Sequence, residues 1–383
     1  MRSRHSRKFN LQESMLAHTK KHKKRALPHA IIGIAVSLAI LFGAQLWPAP
    51  EVESTGADSD DNNAFTASFV GDIMTGRYVE QVIDHQGLDF LFRYAKPYFE
   101  ESDYVTGNFE NPILLEEEEY EPEDKEIHLE AGQESVELLS DAGFTNINLA
   151  NNHIRDYGSK GVQDTLTAFE DSDVDTVGAY FGEEEEAVSF EEYNDLTVAT
   201  VGFNDVWSQS GREGVADSDP AHSLSVIERA NEEADLVVAH LHSGVEYTST
   251  VSDRQEDLMK AYVDAGADIV VGHHPHVLQS VDVYNDGIIF YSLGNFVFDQ
   301  GWTRTRDTAL AQYELGEDGM AEIELVPFRI HESQPRPIDG FAESYYRERI
   351  FQQLTKDVSD EAVYEKTDDG RLVFEVDHGH VLE

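Results

Sequence analysis

Three histidines fall within four positions in Gly272-His273-His274-Pro275-His276, directly after the apolar run Ile269-Val270-Val271. Imidazole is the commonest side-chain ligand for zinc, iron and manganese-class ions, and a glycine ending a strand would let the chain turn so that two rings converge on one point. Histidines in a surface turn, or in a satisfied hydrogen-bond network, would give the same string. Four more apolar runs end in residues able to do chemistry: Phe69-Val70 in Gly71-Asp72, Val105-Thr106 in Gly107-Asn108-Phe109-Glu110, Ile147-Asn148-Leu149-Ala150 in Asn151-Asn152-His153, and Val237-Val238-Ala239 in His240-Leu241-His242. Ligands of open α/β sheets bind beyond the carboxyl ends of the strands, so five strands ending this way predict one shared site.

The elements that would position these residues alternate along the chain. Strand patterns cover 65–70, 104–106, 146–150, 196–203, 236–239, 269–271 and 288–291, and helical patterns cover 79–84, 134–141, 162–169, 223–234 and 253–265. Such alternation predicts a layered α/β domain. After Gly294 the pattern changes to two alternating strands, 309–315 and 321–327, joined by Gly316-Glu317-Asp318-Gly319, which predicts a hairpin. A weaker helical pattern follows at 343–354.

The ends of the chain differ sharply in charge. Residues 1–29 hold nine Lys/Arg against Glu13 alone, and 30–47 carry no charge. A run of about 18 to 20 apolar residues spans a bilayer, and its basic flank stays cytoplasmic. The organisation expected is a basic cytoplasmic tail (1–29), a single-pass membrane anchor (30–47), an acidic linker (48–63), a main domain (64–330) facing outward and a C-terminal extension (331–383). Trp47-Pro48-Ala49-Pro50 is a poor cleavage site, which favours an uncleaved anchor over a signal peptide.

Beyond residue 50 the chain has 19 Lys/Arg against 74 Asp/Glu, a net of −55. Such a surface repels phosphate backbones, which argues against nucleic acid as a partner. Self-repulsion of that size is tolerable where salt screens it, so a halophilic or salt-tolerant source is expected. The chain has no cysteine, which excludes disulfides, thiolate metal sites and cysteine catalysis. No Gly-x-Ser-x-Gly elbow, Walker loop or dinucleotide fingerprint occurs. The runs Glu116–Glu119 and Glu183–Glu186 read as solvated loops.

Taken in order, Gly71-Asp72-x-Met74, Gly107-Asn108-Phe109-Glu110-x-Pro112, Asn151-Asn152-His153-x-x-Asp156-Tyr157-Gly158, His242-x-Gly244-x-Glu246-Tyr247, Gly272-His273-His274-Pro275-His276-Val277 and Tyr291-Ser292-Leu293-Gly294-Asn295-Phe296 resemble the CapA family. These are the poly-γ-glutamate capsule synthesis proteins, of the calcineurin-like metallophosphatase fold, and the resemblance covers about 64–300. It implies a layered α/β/β/α sandwich holding one or two divalent ions of manganese, iron or zinc. The implied ligands are Asp72, Glu110 or Asn108, Asn152, His242, His274 and His276. His153 would protonate a leaving oxygen or hold a phosphoryl oxygen, oriented by Asp156, with Arg77, Asn108 and Asn295 as substrate contacts. Arg77 paired with a nearby acid is an equal alternative.

The chain departs from the metallophosphatase pattern at Met74, where Asp-x-His would have a ligand, and at Asn108, where a bridging carboxylate would stand. Both departures leave one of the two metal positions short of ligands. Either His273 or His274 is the ligand; His274 is favoured because His-x-His puts both rings on one side of an extended segment. His240 shares the alternation of His242. The implied function is poly-γ-glutamate or capsule polymer biosynthesis or export, with an anionic polymer and a membrane synthetase complex as partners. The alternative is an active metal-dependent phosphoesterase or other hydrolase on another extracellular substrate.

Overall fold

The apolar segment up to residue 45 and part of the basic tail lie in one helix, α1 (Leu11–Gln45). The computed structural model describes residues 10–45, 63–115, 120–181, 188–206, 212–301, 304–359 and 361–383. Among the described residues no helix is long and apolar enough to cross a membrane. The side chains of 40–47, within the expected anchor, lie outside the described residues. The expected linker up to residue 62 and the runs Glu116–Glu119 and Glu183–Glu186 also lie outside them.

Alternate residues of strand β1 (Asn63–Ile73) belong to different cores: Phe65, Ala67 and Phe69 to one, Val70 and Ile73 to another. Side chains alternate across a strand, so this sheet is covered on both faces. Parallel to β1 run β2 (Tyr104–Phe109), β3 (Asn146–Asn148) and β4 (Asp175–Val177). The helices between them, α2 (Arg77–Gln86), α3 (Lys96–Phe99), α4 (Glu134–Ala142) and α5 (Gly158–Phe169), pack on the Val70 side through Val79, Tyr98, Leu139 and Val162.

The second sheet contains β5 (Ser189–Tyr193), β6 (Leu196–Asn204), β7 (Leu236–His242), β8 (Ile269–His273), β9 (Val281–Tyr284) and β10 (Gly287–Phe290), in the order β5-β6-β7-β8-β10-β9. Val198, Val238, Ile269 and Phe290 face Phe65 and Phe69 of the first sheet. Their neighbours Ala199, Val237, Val270 and Ile289 pack instead on α6 (Pro220–Glu233) and α7 (Asp253–Asp264). The result is four layers, α/β/β/α, as expected.

The remaining strands, β11 (Asn295–Val297), β12 (Asp307–Gly316), β13 (Met320–His331), β14 (Gln334–Pro337), β15 (Tyr364–Lys366) and β16 (Leu372–Asp377), all join the first sheet. The expected hairpin forms between β12 and β13, with Leu315 opposite Ala321. Strand β13 runs through residue 330 and ends at His331. Leu372, Phe374 and Val376 of β16 complete the core against Ile323 and Leu325 of β13, and Ile350, Phe351 and Leu354 of α8 (Glu343–Leu354) pack into the same core.

Candidate metal centre

Strand pairing brings the polar residues into two rows. In the first sheet Asn295, Asp72, Asn108 and Asn148 stand side by side, and in the second Asn204, His242 and His273 do. Apart from Asn295, which begins β11, each row lies at the carboxyl ends of parallel strands, and the two sheets face each other. A register irregularity opposite β2, between Phe69 and Asp72, marks the end of β1, a device that re-aims side chains. Gly71 is required by a close approach: a Cβ there would stand 1.8 Å from the Gly294 carbonyl oxygen.

Gly272 does not turn the chain. Strand β8 continues through it to His273, and its small size admits the Tyr291 carbonyl, 2.1 Å from where a Cβ would be. The turn is made by His274 and His276 themselves, at φ 95° and 55°. Left-handed backbone at a non-glycine residue costs of order 1–3 kcal/mol and is held only where the surroundings over-determine it. His274 does stand in the cluster, but curved backbone puts it there rather than the alternation of an extended segment.

The second-sheet imidazoles converge on Glu110. His242 Nε2 is 3.9 Å and His276 Nε2 3.6 Å from Glu110 Oε1, and His242 Nε2 lies 2.9 Å from Asn152 Oδ1. The other nitrogen of each ring is occupied: His276 Nδ1 by Asn295 Oδ1 at 2.9 Å, His242 Nδ1 by the Asn108 amide at 3.4 Å. Metal-ligating histidines use the second nitrogen in this way, which fixes the ring and aims the first. His276 Nδ1 also lies 3.1 Å from Asp72 Oδ2. His273 sits behind, its Nδ1 3.5 Å from Asp72 Oδ1 and its Nε2 2.9 Å from His240 Nδ1, while His240 Nε2 meets Thr106 Oγ1 at 3.1 Å. Both rings support Asp72 rather than face the cluster.

Charge is concentrated here on buried side chains. Burial opposes ionisation of Asp72, yet hydrogen bonds from His273 and His276 hold its carboxyl well below the usual range. Burial pushes Glu110 well above that range; the charge of Asp72 adds to the shift and His276 offsets part of it. For His276, burial is outweighed by Glu110 and Asp72, and its pKa rises to about 9. Burial and the His276 charge push His274 down to about 3. Burial, then His274, likewise holds His242 well below its ordinary value.

The residues present fit a divalent ion. Glu110, His242 and His274 offer donor atoms within 4.8 Å of one another; so do Asp72, Glu110 and His276, and also Glu246, His274 and His276. Glu110 Oε1 and His274 Nδ1 are buried without a hydrogen-bond partner among the described residues. Buried lone pairs of this kind are costly unless a cation takes them, and oxygen with imidazole suits manganese, iron or zinc. Met74 contributes nothing, since it is wholly buried in the outer core with Val70 and Val79.

Beside the cluster, His153 Nδ1 lies 2.8 Å from Asp156 Oδ2, and Asp156 also accepts from the Leu129 amide at 2.6 Å. Lys125 pairs with Asp156 Oδ1, donates to the Asn152 carbonyl at 3.0 Å and lies 3.3 Å from His153 Nδ1. Burial lowers the His153 pKa, Asp156 opposes, and Lys125 adds to the lowering. Nothing in the sequence pattern marked Lys125, which arrives from an irregular loop. Asn151 and Asn148 were also missed as supports: both donate to Asn108 Oδ1, at 3.3 and 3.0 Å.

Of the three residues expected to touch substrate, each has its polar atoms engaged by the protein. Arg77 forks onto Asp299, its Nε 2.9 Å from Oδ2. Asn108 donates to Asp72 at 2.9 Å, and Asn295 joins His276 to Gln300 and the Thr305 carbonyl. Asn108 and Asn295 thus touch Asp72 and His276 of the cluster, whereas Arg77 pairs with Asp299 outside it.

Residues 66–300 match the family described as bacterial capsule synthesis protein PGA_cap. The chain is 45% identical to the capsule biosynthesis protein CapA of Bacillus anthracis, over 98% of this chain and 93% of that one. It is 43% identical to the PGA biosynthesis protein CapA of Bacillus subtilis, over 98% and 99%. Among solved structures, a phosphatase from Mycoplasma pneumoniae matches with a TM-score of 0.44 at 13% identity, covering 72% of this chain and 91% of that one.

Proposed function

Because the chain belongs to the bacterial capsule synthesis protein family PGA_cap, we propose that it serves the making or export of a capsule polymer of the poly-γ-glutamate class. Segment 30–47 anchors it in the membrane, the domain faces outward, and a divalent-cation centre is its working site. The carrying observation is the convergence of Asp72, Glu110, His242, His274 and His276 with buried atoms left unpartnered. A divalent ion bound there would polarise a carbonyl or phosphoryl oxygen of the substrate.

Glu110 belongs to two of the three donor groups. It would hold a divalent ion where the amide of Asn108 could not, and His276 would supply the imidazole that position 74 lacks. Glu110 would hold an ion with His242 and His274 or with Asp72 and His276, and Asn152 stands beside His242. His153 is neutral near pH 7, with Nδ1–H held by Asp156, so that its Nε2 lone pair can take a proton from a reacting group.

The test is a Glu110→Gln chain expressed in capsule-forming cells. Metal content and surface polymer should fall together. Full polymer yield from a chain that has lost its metal would sink the reading. A second reading, phosphoester hydrolysis on another extracellular substrate, is favoured by the His153–Asp156–Lys125 arrangement. It is selected if His153→Ala abolishes hydrolysis of a phosphodiester panel and leaves polymer yield intact.

A further inference from the structure

A cavity of about 310 Å³ lies apart from the metal cluster, lined by Ser249, Val277, Leu278, Arg304, Asp307, Arg349, Ile350, Gln352, Gln353 and Lys356. We propose that it is a subsite for the carboxylates of an anionic, glutamyl-type chain; this rests on the polymer reading above and extends it.

The lining is unusual for this molecule. The domain carries 19 Lys/Arg against 74 acids, yet three cations line this one cavity with a single acid. That acid is already neutralised: Asp307 pairs with Arg349 at 2.5 Å and with Arg329 at 3.2 Å. Arg304 donates to Ser249 Oγ at 3.4 Å, and no carboxylate pairs with it among the described residues. Lys356 donates to Thr250 Oγ1 at 2.9 Å and has a carboxylate, Asp357, only at 3.8 Å on an exposed side chain.

Guanidinium and ammonium groups bind carboxylates by charge-assisted hydrogen bonds. The amides of Gln352 and Gln353 add neutral polar groups suited to amide carbonyls, although Gln352 already donates to Glu348 Oε1 at 3.1 Å and Gln353 to the Ser249 carbonyl at 2.8 Å. Val277, Leu278 and Ile350 give an apolar floor for methylene groups. A chain of repeated carboxylates, amides and methylenes matches all three kinds of lining; a compact phosphate matches only the first.

The cavity also adjoins the metal centre through two segments. Val277 and Leu278 follow His276 directly, and Asn295, which orients His276, holds the Thr305 carbonyl beside Arg304 at 3.2 Å. A polymer reaching the metal centre would thus have a cationic holding site one short segment away.

The experiment uses the full-length chain and a fluorescent γ-linked glutamate oligomer, with inorganic phosphate as competitor. In the double variant Arg304→Gln/Lys356→Gln, Kd should rise about tenfold or more, since hydrogen bonds to charged groups are lost. Arg349 is left intact because it neutralises buried Asp307. Metal content and melting temperature should stay at the wild-type values, and His274→Ala should lose metal while retaining the part of the affinity that depends on Arg304 and Lys356. Wild-type affinity in the double variant overturns the subsite while leaving the polymer reading standing. Inorganic phosphate competing as strongly as the oligomer overturns the carboxylate assignment. A wild-type chain that binds no oligomer overturns the polymer reading as well.

Discussion

His378 and His242 are both fully buried imidazoles in one sandwich, yet their surroundings differ in kind. His378 has both nitrogens satisfied, Nδ1 by the Tyr313 hydroxyl at 2.7 Å and Nε2 by the Asp286 carbonyl at 2.8 Å. Its neighbour His380 meets Asp268 at 2.7 Å, and the other oxygen of Asp268 accepts from the Val237 amide at 2.7 Å. The network closes on itself. Around His242, by contrast, Glu110 Oε1 and His274 Nδ1 remain without hydrogen-bond partners among the described residues, and two histidines hold left-handed backbone. The same side chains stitch strands together in one place and leave a cation-shaped demand in the other. What separates a structural histidine cluster from a ligand cluster is therefore the count of unsatisfied buried atoms, not the presence of histidine.

The largest expected effect comes from breaking the open cluster. His276→Ala should remove most tightly bound divalent metal, measured by elemental analysis of the purified chain, because two of the three donor groups contain it. In wild-type protein, metal at about a thousand times Kd should add about 4 kcal/mol of stability, read from melts with and without chelator. The variant should show almost none of that increment. Metal content unchanged in His276→Ala would mean that the cluster is another closed network.

The matching change in the closed network should be smaller and of a different character. His378→Phe leaves the Tyr313 hydroxyl and the Asp286 carbonyl unpaired, which should cost about 1–3 kcal/mol in denaturant unfolding. Its metal content should equal that of the wild type. Metal loss on this substitution would erase the distinction between the two regions.

The same contrast explains what could be read in the sequence. Apolar runs ending in Asp72, Asn108, His153, His242 and His276 were visible because strand period and strand-end chemistry coincide in each. Strands β14 and β15 were not, since Gln334-Pro335-Arg336-Pro337 and Tyr364-Glu365-Lys366 carry little apolar signal and gain their place by pairing with β13 and β16. Which histidine faces the cluster depended on backbone φ at 274 and 276, which no spacing rule supplies. The roles of Asn108 and Glu110 depended on which polar atoms were already taken. Lys125 depended on a loop bringing it to Asp156, 31 residues later, with no pattern joining them.

Acidity should separate His276 from His378 by the sign of their response. In metal-free protein the His276 pKa is raised to about 9 from an unfolded value of 6.5. Its contribution is fully present below 6.5 and is lost as pH rises through 9; Glu110, also raised, acts in the same direction. The His378 pKa is lowered by burial, so its contribution is present above 6.5 and lost as pH falls. Melting of the metal-free chain should therefore weaken from pH 6.5 to 9, and His276→Gln should flatten that slope while leaving the acid-side loss intact. A slope that survives His276→Gln would assign it to other groups.

The smallest effect tests whether Lys125 tunes His153 or only braces its loop. Lys125 sits 3.3 Å from His153 Nδ1 and on the far oxygen of Asp156, so its charge disfavours protonation of the ring. Lys125→Met should raise the His153 pKa, by less than about one unit given that Asp156 remains in place. The shift is measurable from the ring proton resonances as pH is varied. His378, far from this lysine in its own closed network, should not move and serves as the internal reference. A purely bracing lysine would instead leave the His153 titration where it was and lower the melting temperature, because Asp156 Oδ1 would lose its cation in a buried setting. A changed titration with an unchanged melt would place Lys125 in the chemistry of the open cluster.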